Sequence, residues 1–220
     1  MSISENLKNI KDSLPSHVTL VAVSKTKPVA DLMEAYNAGQ RVFGENKVQE
    51  MTEKWEQMPK DIQWHMIGHV QTNKVKYMAP YVSLIHGIDS LKLLAEIDRQ
   101  AAKHGRIIPC LLQMHIAEED TKFGLDEAEL DVLLESDDFA QMENIKISGL
   151  MGMATFTEDE EQISKEFDHL KALFDRLMQR PETSNFKPEI LSMGMSGDYS
   201  IAVEHGSTMV RIGSSIFGSR

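Results

Sequence analysis

Short apolar runs and amphipathic helical patterns alternate along the whole chain. Runs such as "VTLVAVS" and "NIKISGLM" concentrate β-branched and aliphatic residues between polar boundaries, as buried strands do. The pattern predicts strands over 18–24, 40–43, 62–67, 83–88, 107–115, 145–151, 188–192 and 208–212. A leading helix is expected over 4–14. Further helices are expected over 29–38, 46–58, 71–77, 90–104, 126–136, 158–178 and 200–205, with Gly39 and Gly105 as stop signals after two of them. The acidic stretch "ESDDF" at 135–139 reads as a solvated helix end. Eight β/α units with no long Gly/Ser/Pro linker predict one α/β domain over 1–220, a single (β/α)8 barrel, with a doubly wound sheet as the alternative.

Composition narrows the class of partner. No apolar run approaches the roughly 20 residues of a membrane helix. The net charge of -11 argues against nonspecific binding to nucleic acid or an anionic membrane, since both need a basic surface. The opening "MSISENLKNIKDSLP" lacks an apolar leader or an Arg-rich transit pattern, and Cys110, the single cysteine, has no internal disulfide partner. A cytoplasmic location and a monomeric state are the expectations.

In a barrel, chemistry gathers where strands end, at the C-terminal face. Strand alternation puts Val21, Val23 and Lys25 on one side of the first strand and Ala22 and Ser24 on the other, so Lys25 is expected at the barrel mouth. The plain alternative is a solvated lysine. "LSMGMSGDYS" at 191–200 follows the seventh strand with Gly194, Ser196 and Gly197, and Asp198 is placed to cap the next helix. "VRIGSSIFG" at 210–218 leaves the eighth through Gly213, Ser214 and Ser215. Small residues let backbone N–H groups approach an anion, and a pair of such loops after strands seven and eight is a usual phosphate grip of this barrel; each alone is also an ordinary glycine turn. A lysine, a phosphate grip and an arginine, Arg211, together fit a cofactor with an aldehyde, a phosphate and a ring nitrogen, as pyridoxal 5'-phosphate (PLP) has. Lys27 and Arg211 are the cations expected near Lys25.

The sequence also resembles the YggS/PROSC family of PLP homeostasis proteins. The resemblance is carried by "AVSKTKP" (22–28), "FGENKVQE" (43–50), "WHMIGHVQTNK" (64–74), "TKFGL" (121–125), "LSMGMSGD" (191–198) and "GSTMVRIGSSIFG" (206–218). It implies an alanine racemase N-terminal domain-like barrel. It further implies that Lys25 carries PLP as a Schiff base, that Ser196, Gly213 and Ser214 grip the phosphate, and that Arg211 faces the pyridine nitrogen. Ser196 and Arg211 stand fifteen positions apart, as the corresponding serine and arginine do in the wider group that includes alanine racemase. Lys47 replaces a tyrosine common in the family, which bears on the polarity of the pocket rim. Asn46 reads either as a helix cap or as a cofactor contact, and the resemblance favours the pocket.

Other polar candidates carry less. His65 and His69 are four apart, but Gly68 and the strand-to-loop setting disfavour a helical zinc site. His86 and His115 read as core or rim residues, and Met151, Met153, Met193 and Met195 as packing around the mouth. Lys74 and Lys76 read as a solvated helix face that, by the resemblance, borders the pocket. The leading expectation is a PLP-binding protein without turnover that supplies apo PLP-dependent enzymes. The alternatives are a PLP-dependent racemase or decarboxylase and a Schiff-base aldolase. In the resembling racemases the second base comes from an additional C-terminal domain, whereas here the sequence stops at Arg220.

Overall fold

Strand and helix alternate through residues 2–118 and 123–218, which a computed structural model of the chain describes. The strands are β1 (Thr19–Val23), β2 (Val42–Glu45), β3 (Gln63–Met66), β4 (Leu84–Ile88), β5 (Ile108–Gln113), β6 (Ile145–Met151), β7 (Phe186–Met195) and β8 (Met209–Ile212). All neighbours pair in parallel, and β1 meets β8 from Thr19↔Met209 to Ala22↔Ile212, so the barrel closes. That closure excludes the doubly wound alternative. Around it lie α1 (Ile3–Ser13), α2 (Val29–Asn37), α3 (Val48–Gln57), α4 (Val75–Met78) and α5 (Leu91–Lys103). They are followed by α6 (Glu127–Glu135), α7 (Asp137–Ala140), α8 (Glu160–Met178), α9 (Tyr199–Glu204) and α10 (Ser214–Phe217).

The period of two along each strand divides the apolar residues into two cores. Val21, Leu84, Leu111, Met151 and Met209 fill the lumen, with Val42, Ile67, Met153 and Ile190 packed against them. Their alternates, among them Leu20, Ala22, Phe43, Trp64 and Met66, face outward and join the buried sides of the helices in one large core. Burying a side chain such as Leu84 or Leu111 contributes about 1.5–3 kcal/mol, so the lumen is a packed floor and not a channel. Several helix starts are fixed by capping: Ser2 with Glu5 and Asp126 with Glu129 form reciprocal boxes, while Ser90 and Asp159 accept first-turn N–H groups.

Differences from the expected elements have local causes. β1 ends at Val23, because the following residues turn. β7 extends to Met195, three residues beyond expectation, through Gly194 at a positive φ. "ESDDF" begins a helix as well as ending one: Ser136 closes α6 and its hydroxyl caps α7 at Phe139 N–H. Thr121 and Lys122 of "TKFGL" lie outside the described residues. No described helix is long and apolar enough to cross a membrane.

Candidate functional site

The strand ends open onto a cavity of about 720 Å³ lined by Lys25, Asn46, Ser196, Arg211, Gly213 and Ser214 together with their neighbours. The six residues singled out in the sequence are thus brought to one place. Past Val23 the chain turns, with Lys27 N–H donating to Ser24 O at 3.1 Å. Thr26 sits at φ +64°, the only non-glycine at positive φ among the described residues. Alternation nevertheless carries through: Val21 is in the lumen floor, Val23 and Lys25 line the cavity, and Ser24 is buried on the opposite side. Lys25 is half-buried and makes no hydrogen bond or ion pair with any described residue. Lys27, also on the cavity, donates to Phe217 O at 3.0 Å.

Across the mouth, two turns are tied together where Gly213 N–H donates to Ser196 Oγ at 3.2 Å. That bond uses a lone pair of Ser196 and leaves its hydroxyl hydrogen to be donated. Glycine at 213 suits a close approach, since a Cβ there would lie 3.0 Å from Val23 O and 3.2 Å from Val23 Cβ, tighter than most such contacts. Beyond it, the N–H groups of Ser214 and Ser215 fall in the first turn of α10, which has no internal acceptor for them. Among the described residues, Lys25, Lys27 and Arg211 are the cationic side chains on the cavity and Asp198 the carboxylate, a local excess of positive charge in a chain of net charge -11. Hydroxyl and amide donors under surplus positive charge suit an anion with several oxygens.

Arg211 is 4% exposed and rises from the lumen. Its guanidinium donates to Ser192 O at 2.9 Å, Ser192 Oγ at 2.6 Å and Gly152 O at 3.0 Å, so three of its five N–H groups are engaged. Behind it runs a buried chain, with Ser192 Oγ 3.1 Å from His86 Nδ1 and His86 Nε2 3.0 Å from His65 Nδ1. Arginine only donates, so Ser192 Oγ accepts from Arg211; its own hydroxyl hydrogen is then available to His86 Nδ1, an arrangement in which His86 donates from Nε2 to His65. Both imidazoles are neutral in this arrangement. Burial pushes His65 down to about 3 and His86 well below the usual histidine range. Burial also lowers Arg211 to about 10, opposed by Asp198, which leaves it cationic at neutral pH.

Comparison with known proteins places this arrangement. The family model of the alanine racemase N-terminal domain matches residues 1–220. Pyridoxal phosphate homeostasis proteins of Aquifex aeolicus and Vibrio alginolyticus are 39% and 38% identical, covering 91% and 100% of this chain and 86% and 98% of their own. The chain belongs to the pyridoxal phosphate homeostasis protein family. The solved structure of a relative, PipY of Synechococcus elongatus with PLP bound, is 35% identical with a TM-score of 0.89, covering 99% of this chain and 100% of that one. Alanine racemase of Clostridium difficile, in complex with cycloserine, shares the fold at 16% identity and a TM-score of 0.81; this chain is covered in full and spans 60% of that one.

Within the family barrel, several sequence expectations change. Asn46 is not a cap: α3 starts at Val48 with Lys47 at the N-cap position, and Asn46 lines the cavity. Its backbone is held against Gly68, where a Cβ would lie 2.5 Å from Asn46 O. Lys47 is exposed and does not line the cavity. Asp198 occupies the N-cap of α9, yet its carboxylate turns back to accept Met195 N–H at 2.5 Å instead of capping. Met153 and Met195 line the mouth, whereas Met151 belongs to the lumen floor and Met193 to the outer core. Lys74 and Lys76 lie beside Tyr77, away from the cavity. Sequence reasoning did not identify the group behind Lys25. Glu45, the last residue of β2, is buried beneath α3, where it meets Lys54 and Ser24.

Proposed function

We propose that this chain holds PLP at the barrel mouth and buffers or delivers it, without turning over a substrate of its own. The observation that carries this reading is the convergence on one cavity of an unpaired, half-buried Lys25 with the donor set of Ser196, Gly213 and Ser214. The names of the family relatives and the PLP bound to PipY support it. When bound, PLP supplies an aldehyde that a lysine amine converts to a Schiff base, the aldehyde oxygen leaving as water. In this reading Lys25 is that lysine. Ser196 donates its hydroxyl to the phosphate, and the backbone around Gly213 and Ser214 surrounds it. Arg211 presents a remaining N–H to the pyridine nitrogen, and Asn46 lines the side of the ring. Because a guanidinium only donates, the ring nitrogen stays an unprotonated acceptor and the ring is a weaker electron sink than one facing a carboxylate.

The chain acts, in the same reading, as one domain and a monomer in the cytoplasm, with apo PLP-dependent enzymes as recipients. Two measurements test it. PLP should bind far more tightly than pyridoxal, and Ser196→Ala should cost about 1.5–3 kcal/mol of PLP affinity, the worth of one hydrogen bond to a charged group. Equal affinity for pyridoxal and PLP would contradict the phosphate grip. The loaded protein should restore an unrelated apo-enzyme while showing no sustained turnover with a panel of L- and D-amino acids. Multiple turnovers abolished by Lys25→Ala would favour the racemase or decarboxylase alternative.

A further inference from the structure

A second set of charged side chains lies outside the barrel wall, directly behind the turn that carries Lys25. Lys54, on α3 and 5% exposed, donates from Nζ to Ser24 O, Glu45 Oε1 and Glu50 Oε1, each at 2.7 Å. An ammonium has three N–H groups, so this set uses all of them. Glu50 Oε1 also accepts Thr26 N–H at 2.6 Å, and Glu45 Oε1 accepts Ser24 Oγ–H at 2.6 Å. The carbonyl of the residue before Lys25 and the N–H of the residue after it are therefore held by one ion cluster. Thr26 at φ +64° is a conformation a β-branched residue adopts only where its surroundings over-determine it.

We propose that Lys54 and Glu50, anchored by Glu45, are positioning residues for Lys25: they clamp Ser24 and Thr26 so that the side chain between them is delivered into the cavity. This rests on the reading that Lys25 bonds PLP. None of the three lines the cavity; they act through the backbone. On a strand that simply continued, residue 25 would be directed by pleat alone, but β1 ends at Val23 and the two clamped residues take over that task. Burial raises the Glu45 carboxyl against the pull of Lys54 and Ser24, and the Lys54 ammonium is the charge that compensates the pair of carboxylates.

The test separates covalent capture from binding of the rest of the cofactor. Glu50 is at the cluster's edge, its side chain 24% exposed, so Glu50→Ala leaves the Lys54–Glu45 pair in place. In Glu50→Ala the rate at which borohydride-fixable PLP appears on Lys25 should fall about tenfold or more, the scale on which small misplacements act. Affinity for pyridoxine 5'-phosphate, which has the phosphate and ring but no aldehyde, should stay within about twofold and also reports that the site is folded. Glu50→Gln, whose side-chain oxygen still accepts Thr26 N–H, should recover most of the rate. An unchanged capture rate in Glu50→Ala, an equal loss for both ligands, or no recovery in Glu50→Gln would overturn the positioning role. Absence of label on Lys25 in the parent protein would instead overturn the reading of Lys25 itself.

Discussion

Two groups of buried polar side chains stand behind the mouth, and they meet the cost of burial in opposite ways. Inside the lumen, His65, His86 and Ser192 form a neutral chain that ends on Arg211. Outside the wall, Lys54 is paired with both Glu45 and Glu50, so that opposite charges face one another. The difference follows from what each group holds. Arg211 is a side chain, and neutral acceptors restrain it while its remaining donors stay available to the cavity. The Lys25 turn is backbone, with one acceptor at Ser24 and one donor at Thr26, and an ammonium–carboxylate pair answers both at once.

Breaking the charged group should have the larger effect. Lys54→Met leaves two carboxylates facing each other without their cation, and removing one partner of a buried ion pair costs about 3–5 kcal/mol. Denaturant unfolding should show that loss as a lower midpoint; an unchanged midpoint would mean the charges are not compensating. Breaking the neutral chain should cost less. Ser192→Ala deprives Arg211 of one acceptor and His86 Nδ1 of its partner, about 1.5–3 kcal/mol by the same measurement. A Ser192→Ala protein as stable as the parent would dismiss the chain as a support for Arg211.

Acid distinguishes the two groups by sign. A histidine held neutral in the fold, with its value depressed from 6.5 to about 3 as for His65, lets the unfolded chain bind the extra proton first. Stability is therefore fully present above about pH 6.5 and declines as pH falls toward 3, by about 1.4 kcal/mol per pH unit for each such histidine. Glu45 works the other way: its raised value means the fold takes up a proton before the unfolded chain does, which relieves strain as pH falls toward 4.5. His65→Gln should flatten the decline between pH 6.5 and 4.5, as measured by unfolding at a series of pH values. An equally steep decline in His65→Gln would remove the neutral histidine from the account.

How much of this could be read in the sequence depends on which kind of contact is asked for. Strand–helix alternation pointed to the barrel, which closure of β1 on β8 then decided over a doubly wound sheet, and the period of two from Val21 to Lys25 was enough to aim the lysine, even though the strand stops two residues short of it. Glycine and serine after the last two strands located Ser196, Gly213 and Ser214. The same alternation, run along β3 and β4 from Ile67 and Leu84, puts His65 and His86 in the lumen; the bond between them depends on the register of those strands, which no local pattern encodes. Glu50 and Lys54 have the four-residue spacing of an ordinary exposed helix pair, and only packing of α3 against the barrel buries the lysine. Thr26 was illegible for a physical reason: local preference opposes its left-handed backbone, and a tertiary clamp overrides it.

The central claim is that Lys25, and not its neighbour on the same cavity, is the residue that bonds PLP. Borohydride reduction of the PLP-loaded protein followed by peptide mass mapping tests it most directly. One cofactor mass should appear on the peptide position of Lys25, and Lys25→Ala should lose both that label and the visible absorbance of the bound cofactor. Label found mainly on Lys27, or visible absorbance that survives Lys25→Ala, would contradict the account.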